Sequence, residues 1–440
     1  MILYIRTDLS DTSWLEYILS EFITIQNAKF EFQIVPLGTT TDEKSTLFYT
    51  KEKLGKLNWV PNYSNSIVSE NLKYIDSRIC ILENTGDEKN FDIFWNSFVF
   101  LTRYEEYLSE KKGKKIQSYS FNHPRKDKES FSLPIVNILF QYLESYIKDR
   151  FKTLRFEDTK EMYIEFSHDV DYIKKTIQLR LKQTIFNIIK SLKILLSFSL
   201  FWIELKRLFY FLFSTPSYWC FDYWVNLEKK NNIRSIFYIY VKTKTNRGFI
   251  SWLIDPSYDI SNNFELQEKL KHLYEEGFEI GLHGSYKSAL DKEQLELEKN
   301  ILEEILGIKI TKTRQHWLRF EEKITPKIHS DLFKFDATLS WNDRMGFRSG
   351  IASQHRAYDH ENKKPFSHVI TPNILMDSNI YDYGITKVNE LEKKSLELLQ
   401  SLDQYKNIYI ALSWHQRVCS EDYKWHFIYE KFLNWYSKKR

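Results

Sequence analysis

Cysteine is nearly absent from this chain. Only Cys80, Cys220 and Cys419 occur in 440 residues. An odd, scattered set excludes a disulfide framework and a cysteine-rich zinc site, and it fits a reducing compartment. Charge of one sign is lacking as well. The formal net charge is +4, too small an excess to argue for nucleic acid as a partner. The opening residues, MILYIRTDLSDTSW, contain no basic segment leading into a long apolar one. No secretory signal is therefore expected, and a cytoplasmic location is. No apolar run is long enough to span a bilayer: the stretch Ile194–Ile203 is followed at once by Glu204, Lys206 and Arg207. Glycine is limited to 12 residues, so few positions can turn left-handed or admit a close neighbour without cost.

What is present suffices for packed cores. Hydrophobic residues make up 42%, which excludes a disordered chain, and the length implies two or three domains. Aromatic content of 16% suits ordinary cores as well as sugar-stacking surfaces, so it does not by itself argue for a sugar ligand.

Apolar spacing predicts strands at Ile2–Ile5, Phe30–Val35 and Ser77–Leu82, and helices at Trp14–Phe22, Phe91–Leu108 and Pro134–Ile147. Residues 1–155 read as a small α/β domain that ends in the polar segment Lys148–Glu161. Beyond it, strands at Met162–Phe166, Ser235–Val241 and Glu279–His283 alternate with helices at Phe221–Lys229, Phe264–Glu276 and Lys292–Leu306. Such alternation argues for parallel strands, in a barrel or a doubly wound sheet. Residues 174–214 form a hydrophobic insertion with interleaved lysine and arginine. It reads as a helical hairpin docked on the protein, or as an amphipathic element in peripheral contact with a membrane, spanning 176–213.

The chain is organised around MYIEFSHDVDY, Met162–Tyr172. Residues i and i+2 of a strand point the same way, so Asp169 and Asp171 converge. Two close carboxylates repel and want a cation or a shared proton between them. Four further segments end or follow predicted strands: GLHGSYKS (281–288), RQHWLRF (314–320), FDATLSWNDRMGFRSG (335–350) and LSWHQR (412–417). Active sites of parallel α/β folds gather from such strand ends. A lone histidine is more often a satisfied core or surface group. Several at strand exits, together with Asp169, Asp171, His283, Arg314, His316, Asp336 and His415, point to a metal or acid–base site.

Taken in this order, the five segments resemble the polysaccharide deacetylases of carbohydrate esterase family 4, the NodB-homology fold. They are most similar to a bacterial subgroup with an extra N-terminal α/β domain, a feature of which the FLTRYEEYL stretch resembles. The resemblance implies an α/β fold: a distorted (β/α) barrel of NodB-homology type over 156–440, preceded by a smaller α/β domain over 1–155. It implies a metal-dependent hydrolase that removes N-acetyl groups from a sugar or polysaccharide, in cell-surface polysaccharide biosynthesis, with a divalent metal such as zinc. By position it makes Asp169 the general base, Asp171 and His283 metal ligands, Arg314 the partner that holds the base, and His415 the general acid. Asp336 would orient His415, and Tyr286, Trp341 and Trp414 would line the sugar pocket.

Two positions depart from the family's pattern. Its second histidine, four residues after the first, is here Lys287, which cannot ligate while protonated. Its arginine motif usually has proline where this chain has His316. With His316 in place of the missing ligand, Asp171, His283 and His316 make a two-histidine, one-carboxylate set. Without it, the alternative is a catalytically impaired carbohydrate-binding or scaffold protein on the same fold. A third reading, a glycosidase using Asp169 and Asp336, leaves the histidines and Arg314 without a role.

Overall fold

Most of the expected apolar runs become strands and helices in the computed structural model, which describes residues 1–53, 58–76, 78–194, 198–243, 249–384 and 387–440. In chain order the first elements are β1 (Ile2–Thr7), α1 (Ser13–Gln26), β2 (Glu31–Pro36), β3 (Thr46–Thr50), β4 (Trp59–Pro61), β5 (Leu72–Ile75), β6 (Ile79–Leu82), α2 (Ile93–Leu101), α3 (Tyr104–Lys111) and α4 (Ile135–Arg150). There follow β7 (Met162–Val170), α5 (Ile177–Ile194), α6 (Phe198–Phe213), α7 (Phe221–Lys230), β8 (Ile236–Tyr240), α8 (Phe249–Ile254), α9 (Phe264–Glu275), β9 (Glu279–Gly284), α10 (Lys292–Leu306) and β10 (Lys312–Gln315). The last are α11 (Thr325–Leu332), β11 (Phe335–Asp336), β12 (His355–Asp359), β13 (Lys364–Ile370), β14 (Asn373–Met376), α12 (Asp377–Tyr381), α13 (Val388–Ser401), β15 (Ile408–Ser413) and α14 (Phe427–Ser437). Ser77, the first residue of one expected strand, lies outside the described residues, as do 195–197 of the apolar run.

The chain is mixed α/β and packs as two units. The first is Met1–Ile164 with Phe320–Ala411, the second Glu165–Arg319 with Leu412–Arg440. In the first unit, four parallel strands run in the order β2-β1-β3-β4. The apolar faces of α1, α2 and α4 bury Phe22, Phe94, Phe98, Leu139 and Phe140 with Leu3, Ile5 and Leu47 of the sheet. The single helix predicted over Phe91–Leu108 is two. Asp92 caps α2 by accepting the Trp95 N–H at 2.9 Å, and the helix breaks at Arg103, whose φ is 53°. Arg103 and Glu106 are buried in ion pairs with Glu322 and Arg348, at 2.8 and 2.7 Å. Their charges thus belong to the interior, where each needs its partner.

In the second unit, β10, β9, β8 and β7 lie side by side and parallel. Strand β7 runs further than its apolar residues suggest, and Ser167, His168 and Asp169 belong to it. Helices α5 and α6 pack on each other. Leu179 of α5 and Phe211 of α6 join Tyr172 and Tyr218 in a small buried cluster. Among the described residues, no helix is long and apolar enough to cross a membrane.

Candidate functional site

The end of β7 sets the site by alternation. Ser167, Asp169 and Asp171 share one direction, and His168 takes the other. His168 is fully buried, with Nε2 2.7 Å from Glu228 Oε1 and Nδ1 3.0 Å from the Trp414 carbonyl oxygen. Tyr429 donates its hydroxyl to the same Glu228 oxygen at 2.6 Å. This network pins the backbone one residue before His415.

Asp169 is buried beside Arg314 of β10, whose Nη1 donates to Asp169 Oδ1 at 2.7 Å, Ser167 Oγ at 2.9 Å and Ser413 Oγ at 3.0 Å. Ser413 donates to Asp169 Oδ2 at 3.1 Å. The guanidinium lies over the Tyr238 ring, 4.3 Å from its centre. Burial alone raises a carboxyl pKa; the neighbouring positive groups, Arg314 foremost, more than reverse it and hold Asp169 below the ordinary range.

Asp171 is where the histidines meet. Its Oδ1 lies 3.3 Å from His283 Nε2 and 3.8 Å from His316 Nε2. Its Oδ2 lies 3.3 Å from His415 Nε2 and accepts from Arg417 Nη1 at 2.9 Å. One ligand atom each from Asp171, His283 and His316 falls within 4.8 Å of the others. The outer nitrogens are also engaged. His283 Nδ1 is 3.0 Å from the Arg314 carbonyl oxygen. That oxygen can only accept, so Nδ1 carries the proton and a neutral His283 turns its Nε2 lone pair inward. His316 Nδ1 is 3.3 Å from Asp255 Oδ1, which also accepts the Tyr286 N–H at 2.8 Å. A carboxylate behind the imidazole fixes the same tautomer. Burial lowers the pKa of His316, which favours the neutral, ligating form. The donor set of two nitrogens and one carboxylate oxygen, with both lone pairs directed, fits a divalent ion of the zinc type.

The backbone after His316 is unusual. Trp317 and Leu318 have φ of 58° and 50°, a left-handed pair that side chains with Cβ rarely adopt. Leu318 is buried and Trp317 is 40% exposed. Lys287, four residues after His283, is exposed and is no part of the cluster.

Of the expected residues, the structure brings together Asp169, Asp171, His283, Arg314, His316 and His415. Three do not serve as expected. Asp336 lies 2.9 Å from His329 Nδ1, both fully buried in the first unit, and the carboxylate beside His415 is Asp171. Trp341 is fully buried against Phe131, His123 and Arg348. Trp414 is fully buried, with Nε1 donating to the Trp425 carbonyl at 2.8 Å. A ring with no exposed face cannot stack on a sugar. Tyr286 remains half-buried beneath the Arg319 guanidinium, 4.3 Å from the ring centre. Sequence reasoning missed Asp255 and Arg417. Arg417 stands two residues after His415 in a segment already singled out. Asp255 offers a weaker signal, an acid between an apolar run and Pro256.

A family model described as a family of unknown function, DUF7033, matches residues 3–152. No curated protein matches the sequence. The chain is similar to solved polysaccharide deacetylases, at low identity. One from Mycobacterium smegmatis, so described, is 14% identical with a TM-score of 0.37, over 64% of this chain and 86% of that one. One from Bordetella bronchiseptica, described as involved in O-antigen biosynthesis, is 13% identical with a TM-score of 0.26, over 57% and 71%. PuuE allantoinase is 12% identical with a TM-score of 0.37, over 63% and 84%. At such values these likenesses transfer no activity to this chain.

Proposed function

We propose that this protein is a metal-dependent hydrolase that removes N-acetyl groups from a carbohydrate in cell-surface polysaccharide biosynthesis. The proposal places it on a NodB-type (β/α) barrel with residues 1–155 as an accessory domain. The observation that carries it is the convergence of His283, His316 and His415 on the Asp171 carboxylate, next to an aspartate held by Arg314. Asp171, His283 and His316 would hold the ion. When bound, it polarises the amide carbonyl and makes a water more acidic. Asp169, kept ionised by Arg314, accepts the proton of the attacking water once the Ser413 hydroxyl turns away from Oδ2. His415, with the Asp171 carboxylate as its counter-charge, gives a proton to the departing amine. Tyr286 and Trp317 replace the buried tryptophans as the aromatic wall for the sugar. Three free thiols suit action in a reducing compartment.

The test is acetate release from N-acetylglucosamine oligomers by the zinc-loaded protein. Asp169→Asn and His415→Ala should each lower the rate by about 10²- to 10⁴-fold while leaving the circular dichroism unchanged. Full activity in either variant, or release of reducing sugar in place of acetate, removes the assignment. One observation favours the non-catalytic alternative: Arg417 at 2.9 Å already balances Asp171. Sugar binding by a protein that retains no zinc would decide for it.

A further inference from the structure

The α5–α6 pair is docked on one side and apolar on the other. Leu179 and Phe211 face the buried cluster with Tyr172 and Tyr218. Outward, α5 presents Ile177, Leu181 and Ile185, and α6 presents Trp202, Phe209 and Phe213, with Trp252 on α8; their exposures run from 46% to 77%. Spacings of four and seven residues place each set on one helical face. Phe209 and Phe213 stack with ring centres 6.5 Å apart. Gln178 of α5 donates to the Trp252 carbonyl, which ties α8 to α5. Soluble proteins rarely leave so many large apolar side chains together in water.

Charge says what covers this face. Residues 174–213 contain six lysines and two arginines against one glutamate, a net of +7 in a chain whose total is +4. The rest of the chain is therefore net −3. Part of the positive charge is turned inward: the Lys175 side chain is buried against Asp422 at 2.7 Å, Arg180 donates to the Ser214 carbonyl at 2.8 Å and Lys182 to the Tyr172 hydroxyl at 2.7 Å. Lys206 stands exposed within the α6 stripe, and Lys174 is exposed at the foot of α5. A protein partner's interface core is depleted in lysine. A second copy of this chain would set Lys174 and Lys206 against like charge. We propose that this face binds the surface of an anionic lipid bilayer. The aromatic and aliphatic side chains enter the acyl boundary, and Lys174 and Lys206 extend to the headgroups. The inference does not depend on the metal centre.

Flotation of the full-length protein tests it, with vesicles of phosphatidylcholine alone and of phosphatidylcholine with roughly 30 mol% phosphatidylglycerol. The protein should float with the anionic vesicles and be released by about 0.5 M salt. Trp202→Ser/Phe209→Ser/Phe213→Ser and Lys174→Glu/Lys206→Glu should each reduce partition at least about tenfold. All five positions are exposed, so the melting temperature and zinc content of both variants should match wild type. No flotation of wild type with either vesicle, or undiminished flotation of the apolar variant, overturns the proposal. So does self-association in ultracentrifugation that the apolar variant abolishes.

Discussion

At the scale of single residues, the distinctive point of the proposal is that His316 would stand in for a ligand that the Lys287 position does not supply. Asp255 behind its Nδ1 makes the substitution workable, because the carboxylate aims the Nε2 lone pair at the shared point. Asp255→Asn should weaken zinc retention by about 10- to 100-fold, His316→Ala should weaken it further, and Lys287→Ala should leave it unchanged. Elemental analysis after dialysis checks all three, and zinc held equally by His316→Ala would end the ligand assignment. His316 was legible in the sequence as a histidine where proline is usual. Asp255 was not, because a carboxylate that acts through another side chain leaves no motif. A second residue-scale expectation concerns acid stability. His368 is fully buried, and burial pushes its pKa down to about 4 from 6.5. Between those values the unfolded chain binds a proton that the folded chain refuses, so stability is lost as pH falls from 6.5 to 4. The cost at pH 4 is roughly 3 kcal/mol. His355 and His360, lowered to about 3 and about 4 by burial, act in the same direction. Urea denaturation of wild type and His368→Phe at several pH values separates its share. The variant should lose less stability on acidification, and parallel slopes would refute the assignment.

At the scale of elements, the site rests on the close approach of β8, β9 and β10. A Cβ at Gly281 of β9 would lie 2.6 Å from the Tyr238 ring of β8 and 3.3 Å from the Lys312 carbonyl oxygen of β10. Tyr238 cannot give way freely, because its face supports the Arg314 guanidinium that holds Asp169. Gly281→Ala should therefore cost about 1–3 kcal/mol and lower acetate release. Gly38→Ala, with nothing within 4 Å of its added Cβ, should change neither. Thermal melts and rates side by side check this, and equal melting temperatures would show that Tyr238 moves without consequence. Of these strands β8 and β9 were legible, as short apolar runs too brief for a helix and set between helical periods, whereas β10, with the sequence KTRQ, carries no apolar run. The polar end of β7 was not legible, since Ser167, His168 and Asp169 carry no apolar signal. They are satisfied by Leu412, Glu228, Trp414 and Arg314, partners far along the chain. The break at Arg103 escaped for the same reason, because local periodicity does not reveal a charge whose counter-ion lies elsewhere.

For the whole molecule, the question is which stretches need one another to fold. Arg103 pairs with Glu322 across 219 residues, and Glu106 with Arg348 across 242. All four side chains are essentially buried, and all belong to the first unit. A chain beginning at residue 156 would keep Glu322 and Arg348 and lose both counter-charges. Each orphaned buried charge costs about 3–5 kcal/mol, and a domain's total stability is about 5–15 kcal/mol. Residues 156–440 expressed alone should therefore be insoluble or lack a cooperative unfolding transition. In the full chain, Glu106→Ala should destabilise by about 3–5 kcal/mol, whereas Glu106→Leu with Arg348→Met should recover most of that loss, because no buried charge is left unpaired. Urea denaturation of the two variants separates charge from volume. If the double variant is as unstable as the single, packing around these side chains and not the lost counter-charge sets the cost. The failure of the fragment would then need an apolar cause, which the shared burial of Ile351 and Tyr358 with α1, α2 and α4 already offers.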